Sequence, residues 1–319
     1  MNHFPSSLSQ ATEYRDAIFA GGCTDLMPLF KNQVRDHRNL VFLTQIPELR
    51  EIRREGPGVS IGASAILADV AESELILNHF PALAQAANAV ASPQIRNIAT
   101  MGGNIMQDRR CIYFNQSAGW RSSLPPCFKT GGDVCHQIPN SPVCRALYYS
   151  DVATALLVYD AQAEYWEKGA LHCAPLRELI HRHCEANGTA CRNRLNILVT
   201  RFFMDSPPKG ERSGFYKYAM RTSIDFPLIN FALRCGRSRS AKLVSGAAAP
   251  EPLILEHTAA LLDHGAADDD ILAACQAELK TLAMPIREAC ISPARKRDLY
   301  LQVFSLLSLR EDCPKSTEL

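Results

Sequence analysis

The sequence lacks several features that would assign it at once to a specialised class of protein. Lys and Arg number 34 and Asp and Glu 33, so the formal net charge is only +1 and the basic footprint of a nucleic-acid-binding protein is missing. Apolar runs such as 151–159 fall far short of the ~20 residues that span a bilayer. The N-terminal MNHFPSSLSQ has neither a basic start nor an apolar segment, so no secretory signal is visible. We therefore expect a cytoplasmic protein that binds neither nucleic acid nor membranes.

Common catalytic and nucleotide-binding motifs are also missing, as are internal repeats and low-complexity tracts. H-E-x-x-H and the P-loop do not occur, and neither glycine pair belongs to a G-x-G-x-x-G pattern, so a Rossmann dinucleotide site does not follow. Hydrophobic residues make up 47% of the 319-residue chain and charged residues 21%. This composition is typical of a soluble globular protein, and the length indicates about two domains.

The pattern of strand-forming and helical segments predicts an α+β protein. The segment 204–213 contains Pro207, Pro208 and Gly210, which interrupt regular elements, and it is the best candidate for a linker. It separates a first domain at 1–205 from a smaller C-terminal domain at 212–319. In the second domain three predicted strands are followed by three predicted helices, an order that favours the α+β class.

Two glycine pairs with neighbouring hydroxyls are the first candidates for a ligand site. The first loop, which follows a predicted strand, comprises Ala20, Gly21, Gly22, Cys23, Thr24 and Asp25, and the second comprises Thr100, Met101, Gly102, Gly103 and Asn104. Glycines let backbone N–H groups turn toward an anion, so two such loops could clamp one pyrophosphate from two sides. Two unrelated turns are the alternative. Asp25 has the wrong charge for a phosphate, and we expect it to order its loop or to cap the next helix.

Twelve cysteines are many for a chain without a visible secretory signal, and four of them lie in the irregular segment 107–149. Cys111, Cys127, Cys135 and Cys144 have the spacing C-x15-C-x7-C-x8-C. Four thiolates can hold one zinc ion or one iron–sulfur cluster, although this spacing matches neither a zinc ribbon nor a bacterial ferredoxin. Metal ligation would explain how a long irregular segment stays ordered, because it supplies folding free energy. Four free thiols in an unordered insertion are the alternative.

Two further groups of residues suggest binding sites, although each also fits a purely structural role. Lys217 and Arg221 alternate with aromatic and apolar residues and could reach a ligand between the domains, although the sequence alone favours a solvated strand face. A second group suggests zinc by its density of His and Cys, yet it alternates with leucines as ordinary structure does, and accidental clusters of this kind are common. Its members are His172, Cys173, His181, His183, Cys184 and Cys191.

These motifs occur together, and in the same order, in one known family. Its A-G-G-T-D-L, R-N-x-A-T-x-G-G-N, S-P-x-x-D and Y-x-K-x-x-x-R-x-x-x-D patterns correspond here to 20–26, 96–104, 149–151 and 216–225. Cys23 adds one residue to the first pattern. Over nearly its whole length the chain resembles the FAD-binding medium subunit of the xanthine dehydrogenase, or molybdenum hydroxylase, family. The resemblance implies an α+β fold, with a two-subdomain FAD-binding domain followed by a smaller C-terminal α+β domain.

The insertion is similar to that of one branch of the family, represented by the β subunit of 4-hydroxybenzoyl-CoA reductase. Most relatives pass from G-G-N to S-P-x-x-D within a few residues, whereas this branch holds a [4Fe-4S] cluster in between. The resemblance implies that 107–148 is an inserted loop in which Cys111, Cys127, Cys135 and Cys144 bind such a cluster.

The resemblance also implies how FAD is bound. The two glycine loops would hold the pyrophosphate, Val90 and Gln107 would line the flavin, and Lys217 would contact the flavin side of the cofactor. Asp151 would lie near the adenosine end or the ribityl chain. The complete implied set is Ala20, Gly21, Gly22, Cys23, Thr24, Asp25, Val90, Thr100, Gly102, Gly103, Asn104, Gln107, Asp151 and Lys217, and no catalytic residue is expected on this chain.

The function implied is that of an oxidoreductase subunit that transfers electrons without touching the organic substrate. Electrons would pass from an external low-potential donor such as ferredoxin through [4Fe-4S] and FAD. They would continue to [2Fe-2S] clusters on a small subunit and molybdenum on a large subunit of a heterohexamer. The reaction implied is the reductive dehydroxylation of 4-hydroxybenzoyl-CoA to benzoyl-CoA in aromatic compound degradation. Two alternatives remain: a FAD/[4Fe-4S] subunit of another molybdenum hydroxylase, acting on an aldehyde or N-heterocycle, and a non-enzymatic assembly protein stabilised by zinc.

Overall fold

Three β-sheets and thirteen helices make up the described part of the protein. The computed structural model describes residues 1–34, 39–188, 195–221, 224–236, 239–288 and 291–308. Two of the sheets are antiparallel and one is parallel, and helices pack on all of them. The α+β class predicted from the sequence is confirmed.

The N-terminal unit is a small parallel sheet. Its elements in chain order are β1 (Asn2–His3), α1 (Leu8–Ala11), β2 (Ile18–Ala20), α2 (Leu26–Lys31) and β3 (Leu40–Phe42). The central strand β3 pairs in parallel with both β1 and β2. The carboxyl end of β2 runs directly into the first glycine loop, so that loop lies at the edge of the sheet where open α/β folds bind ligands.

The middle unit is built on a five-stranded antiparallel sheet of order β4-β5-β8-β6-β7. Its elements in chain order are β4 (Ile52–Glu55), β5 (Gly58–Gly62), α3 (Leu67–Glu72), α4 (Glu74–His79), α5 (Pro81–Ala89), α6 (Pro93–Arg96), α7 (Met101–Ile105), α8 (Ala118–Arg121), α9 (Asp151–Val158), β6 (Gln162–Glu167), β7 (Ala170–Pro175), α10 (Leu176–Asn187) and β8 (Ile197–Asp205). Single 3-10 turns occur at Pro47–Leu49 and Phe128–Thr130. Gly56 has a φ of 56°, the left-handed conformation that the tight turn between β4 and β5 requires.

The C-terminal unit is a four-stranded antiparallel sheet of order β12-β11-β10-β9, covered by three helices. Its elements are β9 (Arg212–Tyr218), β10 (Ile229–Cys235), β11 (Lys242–Gly246), β12 (Leu253–Ile254), α11 (Glu256–Asp263), α12 (Asp268–Leu282) and α13 (Pro293–Ser308). The helix α12 begins with three aspartates, which its N-terminal dipole stabilises. Within the described ranges, no helix is both long and apolar enough to cross a membrane.

The main hydrophobic core runs through the middle unit and into the C-terminal sheet. Every residue of α9 is buried, including the polar Asp151 and Thr154. The same core includes Phe215, Ala232 and Val244 from the C-terminal sheet. The irregular segment 206–211, inside the predicted linker, therefore separates the two units along the chain, while their side chains pack into one core.

Candidate cofactor sites

The two glycine loops lie directly against each other at the end of β2. A Cβ atom on Gly22 would come within 1.8 Å of the Ile98 carbonyl oxygen, and one on Gly21 within 2.3 Å of Thr100 Oγ1. Both distances are far below van der Waals contact, so only glycine allows this approach. The alternative of two unrelated turns is wrong, because the two loops are in direct contact.

Local sequence fixes the shape of each loop. Thr100 is the N-cap of α7, and its hydroxyl accepts a hydrogen bond from the backbone N–H of Gly103 at 3.1 Å. Cys23 has a left-handed φ of 60°, and this turn accommodates the residue by which the loop exceeds the family pattern. The Cys23 thiol donates to the Gly21 carbonyl at 3.4 Å, and burial raises its pKa, so it remains protonated at neutral pH.

Asp25 orders its loop through contacts with the start of the insertion. Its carboxylate accepts a hydrogen bond from the Asp108 backbone N–H at 3.1 Å and pairs with the Arg110 guanidinium at 2.6 Å. The side chain makes no capping bond to α2, so the expectation of a helix cap is wrong. The expectation that Asp25 orders the loop is confirmed, and its partners lie more than eighty residues away in sequence.

Two adjoining cavities open around the glycine loops. The first, of about 870 Å³, lies between these loops, β2 and β8, and the second, of about 1010 Å³, extends to the C-terminal sheet. Both volumes include space that is open to solvent. The two cavities are adjacent, because four residues line both of them: Thr24, Asp25, Gly103 and Gln107.

Every residue expected to contact FAD lines at least one of these cavities. The first cavity is lined by Ala20, Gly21, Gly22, Cys23, Thr100 and Gly102, and the second by Val90, Asn104, Asp151 and Lys217, in addition to the four shared residues. Backbone N–H groups of the glycine loops can therefore face an anion at the junction, while the second cavity offers a cation and apolar walls.

Lys217 and Asp151 form a buried ion pair in the second cavity. Lys217 Nζ lies 2.9 Å from Asp151 Oδ2 and also donates to the Ala89 carbonyl at 2.8 Å. The other Asp151 oxygen accepts from Asn230 Nδ2 at 2.5 Å. Burial raises the pKa of Asp151, although Lys217 and the Asn230 hydrogen bond oppose that rise. A solvated strand face is therefore wrong for Lys217, whose side chain is 11% exposed, whereas Arg221 is 69% exposed and pairs with Asp225.

Three residues of the second cavity, Arg110, Tyr149 and Phe226, are given no role in the site by the sequence. The Arg110 guanidinium lies 4.6 Å from the centre of the Phe226 ring, and the Tyr149 ring meets Phe226 edge-on at 5.6 Å. The Tyr149 hydroxyl donates to Glu288 Oε1 at 2.9 Å. Only long-range folding brings these groups together, and the available signals were their positions beside motif residues: Arg110 next to Cys111, Tyr149 within 149–151 and Phe226 after Asp225.

All four cysteines of the insertion line one small cavity of about 300 Å³, together with the aromatic rings of Tyr113, Phe114 and Phe128. The backbone N–H of Phe114 donates to Cys111 Sγ at 3.3 Å, and that of Ala146 donates to Cys144 Sγ at 3.4 Å. Such hydrogen bonds favour a thiolate over a neutral thiol. The four thiols thus surround a common space that a polynuclear group could fill.

The described side chains do not form a ready site for a single metal ion. Four sulfurs around one zinc lie about 3.8 Å apart, because each Zn–S bond is about 2.3 Å long. Among the residues that the structure describes, no three His, Cys, Asp or Glu side chains lie close enough to hold a single metal ion. The same holds for the described part of the His/Cys segment at 172–184, while Cys191 lies outside the described residues.

A buried polar network ties the insertion to α10. Lys129 donates to Asn187 Oδ1 at 2.7 Å, and Asn187 Nδ2 donates to Asp108 Oδ1 at 2.5 Å. The Arg109 guanidinium donates to the carbonyls of Cys184 and Cys144 at 3.1 and 3.0 Å. These hydrogen bonds hold the insertion in place, which has only one helical turn and one 3-10 turn of its own.

The Cys111 thiol shows the effect of this enclosed setting. Burial raises its pKa to about 11, although the N–H groups of Phe114 and Tyr113 and the charge of Lys129 act in the opposite direction. Without a bound group the thiol is therefore protonated at neutral pH, and ligation must displace its proton.

Residues 2–200 match the family described as the FAD binding domain in molybdopterin dehydrogenase. The chain belongs to this family. Its FAD-binding domain includes both glycine loops and all four cysteines of the insertion, and FAD is its cofactor. The chain is thus a FAD-binding subunit of the molybdenum hydroxylase family, an oxidoreductase family, as the sequence resemblance implied.

Other members of the family cover most of the chain. The xanthine dehydrogenase FAD-binding subunit of Escherichia coli O157:H7 is 28% identical over 245 residues, which is 75% of this chain and 69% of that protein. The aldehyde oxidoreductase FAD-binding subunit PaoB of Escherichia coli K12 is 28% identical over 261 residues, which is 78% of this chain and 80% of that protein.

The fold is also that of a solved member of the family. A carbon monoxide dehydrogenase chain from Hydrogenophaga pseudoflava superimposes with a TM-score of 0.71 and 20% identity. The match covers 95% of this chain and 93% of that one, so the FAD-binding domain and the C-terminal unit both follow the family architecture.

Proposed function

We propose that this chain is an electron-transfer subunit that holds a [4Fe-4S] cluster in addition to FAD. The observation that carries the proposal is the convergence of Cys111, Cys127, Cys135 and Cys144 on one cavity. Aromatic walls and N–H groups aimed at two of the sulfurs fit the demands of a thiolate-bound cluster. When bound, the cluster supplies one-electron transfer, and FAD exchanges one or two electrons.

The chain's own residues would bind and orient FAD across the two adjoining cavities. The glycine loops at 20–25 and 100–104 would hold the pyrophosphate with backbone N–H groups. Val90 and Gln107 would line the flavin. Lys217 would face the flavin side, and its ammonium is held in place by Asp151 and the Ala89 carbonyl.

Electrons would enter from an external low-potential donor, for which ferredoxin is our proposal, and would leave toward [2Fe-2S] and molybdenum on partner subunits. The names of the two Escherichia coli relatives, each a FAD-binding subunit, support an assembly of several chains. We propose a large, a medium and a small subunit, doubled into a heterohexamer. The proposed reaction is reductive dehydroxylation of 4-hydroxybenzoyl-CoA to benzoyl-CoA, which explains why a low-potential cluster would be added.

A second candidate is a FAD/[4Fe-4S] subunit of a molybdenum hydroxylase with another substrate. It is favoured by the relatives, whose names specify xanthine, an N-heterocycle, and aldehydes. In both candidates the substrate would bind to the large partner subunit, and this chain would have the same task.

The first test is the iron, acid-labile sulfide and flavin content of the anaerobically purified chain. We expect about four iron atoms with matching sulfide per chain, together with flavin absorbance. About one zinc per chain, with neither sulfide nor flavin, would contradict the proposal and favour the zinc-stabilised assembly protein.

The second test separates the two candidates and uses the complex purified with its partner subunits. Under anaerobic conditions, reduced methyl viologen and 4-hydroxybenzoyl-CoA should yield benzoyl-CoA. Oxidation of an aldehyde or N-heterocycle with an acceptor dye, without benzoyl-CoA formation in the first assay, would favour the second candidate.

A further inference from the structure

A buried cation lies in the wall of the cysteine cavity. Lys129 lines this cavity together with the four cysteines, and only 1% of the residue is exposed. Its Nζ donates to Asn187 Oδ1 at 2.7 Å and to the Arg109 carbonyl, and it lies 4.0 Å from the centre of the Phe114 ring. Carbonyl oxygens and an aromatic face all favour a charged ammonium.

Three other charged residues lie near Lys129 or the cysteines, and they differ from it in whether they are buried and line the cavity. Asp108 and Arg109 are also buried and belong to the same network, since both bond to Asn187. Neither of them lines the cysteine cavity. Arg145 follows Cys144 in sequence, but it is only half-buried and bonds to Ser141 and Met284 at the surface. Among the described residues, Lys129 is therefore the only lysine or arginine that lines the cysteine cavity.

We propose that Lys129 raises the reduction potential of the group that the four cysteines hold. This role depends on the proposed [4Fe-4S] cluster. Reduction adds one electron from the external donor and makes a thiolate-bound cluster more negative by one charge, while no bond in this chain forms or breaks. A fixed cation stabilises the more negative state, and it does so more strongly where solvent is excluded. Lys129 would thereby help the cluster to accept electrons.

The test is a redox titration of the holoprotein, followed by visible absorbance and electron paramagnetic resonance. Lys129→Met should lower the cluster potential by at least about 59 mV, which is a tenfold change in the equilibrium constant of a one-electron couple. Asp108→Asn removes a buried negative charge from the same network and should raise the potential. Lys129→Arg keeps the charge and should stay close to the wild type.

Arg145→Met is the matched control for the removal of a positive charge near the cysteines. Because solvent screens its guanidinium, the expected shift is much smaller than that of Lys129→Met. A shift of equal size in both variants would show that burial is not what gives Lys129 its effect, and it would overturn the proposal.

The iron content of each sample separates this proposal from the function it depends on. A wild-type chain without iron would refute the cluster itself, whereas iron-replete Lys129→Met with an unchanged potential would refute only the role of Lys129. Shifts of the same sign in Lys129→Met and Asp108→Asn would indicate repacking instead of charge and would also refute it. If Lys129→Met fails to retain iron, the Asp108→Asn variant decides: a raised potential supports the proposal, and an unchanged or lowered one overturns it.

Discussion

The FAD cavities and the cysteine cavity are built in opposite ways. Around the cavities proposed for FAD, the ends of strands and the start of α7 bring backbone groups together, and glycines at 21 and 22 allow contact that no side chain would permit. The cysteine cavity lies in a segment with one helical turn and one 3-10 turn, held by buried side chains from α10. The first region is therefore sensitive to added atoms, and the second to the loss of particular functional groups.

The largest expected effect is the loss of iron from the cysteine region, with FAD binding unchanged. Cys127→Ser, or equally Cys135→Ser, should lose nearly all iron and keep FAD, because a serine oxygen is a poor replacement for a thiolate ligand and the glycine loops are untouched. Iron, sulfide and flavin assays on the purified variants measure this outcome. Cys173→Ser is the control, since Cys173 is exposed in β7 and should change neither content. Loss of FAD together with iron would show that the two regions do not fold independently.

Gly22→Ala is the converse experiment. The added methyl group would lie 1.8 Å from the Ile98 carbonyl oxygen, so the loops must separate and the FAD site must distort. We expect FAD affinity to fall by more than about tenfold, or more than about 1.4 kcal/mol, with iron retained. Flavin fluorescence during dilution or dialysis measures the affinity. Gly119→Ala in α8 is the matched control, because nothing lies near its added Cβ, and an equal loss of FAD there would contradict the steric explanation.

Lys217→Met tests the buried ion pair that joins the FAD-binding domain to the C-terminal sheet. Removing one partner leaves the Asp151 charge buried, and we expect a loss of about 3–5 kcal/mol in the free energy of unfolding at neutral pH. Urea unfolding measures the change. The double variant Lys217→Met/Asp151→Asn removes both charges and should recover most of the loss. If the double variant is no more stable than the single one, the unpaired charge is not the cause.

The same variant carries a pH signature with a defined sign. The pKa of Asp151 is already raised by burial, and the loss of Lys217 raises it further. The folded state then binds a proton more tightly than the unfolded state does, so stability relative to the wild type is greatest below about pH 4 and falls as the pH rises. The free energy of unfolding, measured from below about pH 4 up to neutral pH, should fall relative to the wild type in Lys217→Met. The double variant should not show this fall.

The smallest expected effect concerns Tyr149, which lies between the second cavity and the cysteine region. The Tyr149 ring lines the second cavity and packs with Leu147 and Ile286 in a cluster that Cys111 contacts. Tyr149→Phe removes only the hydrogen bond to Glu288, so we expect a loss of about 0.5–1.5 kcal/mol with both cofactors retained. Thermal unfolding and the cofactor assays check this. Loss of either cofactor would show that the Glu288 contact positions the wall for that site.

Local sequence signals account for much of the fold and of the candidate sites. Each glycine loop and the set of four cysteines could be picked out from short stretches, because backbone freedom and thiol chemistry belong to the residue type itself. The strands and helices of the C-terminal unit were predictable for a similar reason, since apolar periodicity is local.

What the sequence did not reveal depends on distant partners. Lys129 looks like an ordinary loop lysine, and its burial follows from Asn187, which lies 58 residues further along the chain. The strand pattern around Lys217 favours a solvated face, and only the resemblance to the family places this residue in the site; its burial follows from Asp151, 66 residues before it. Contacts of this range leave no periodic pattern in either segment, so only the folded chain shows which charged side chains turn inward.

The pairing of Arg110 with Leu147 closes the segment that holds the four cysteines. The backbone N–H of Arg110 donates to the Leu147 carbonyl at 2.8 Å, and that of Leu147 donates to the Arg110 carbonyl at 3.0 Å. The two ends of the segment are thus antiparallel neighbours, which a tight turn could also join. The entropy cost of closing a loop grows slowly with its length. The segment between these two residues can therefore be long without a large entropy cost of closing it.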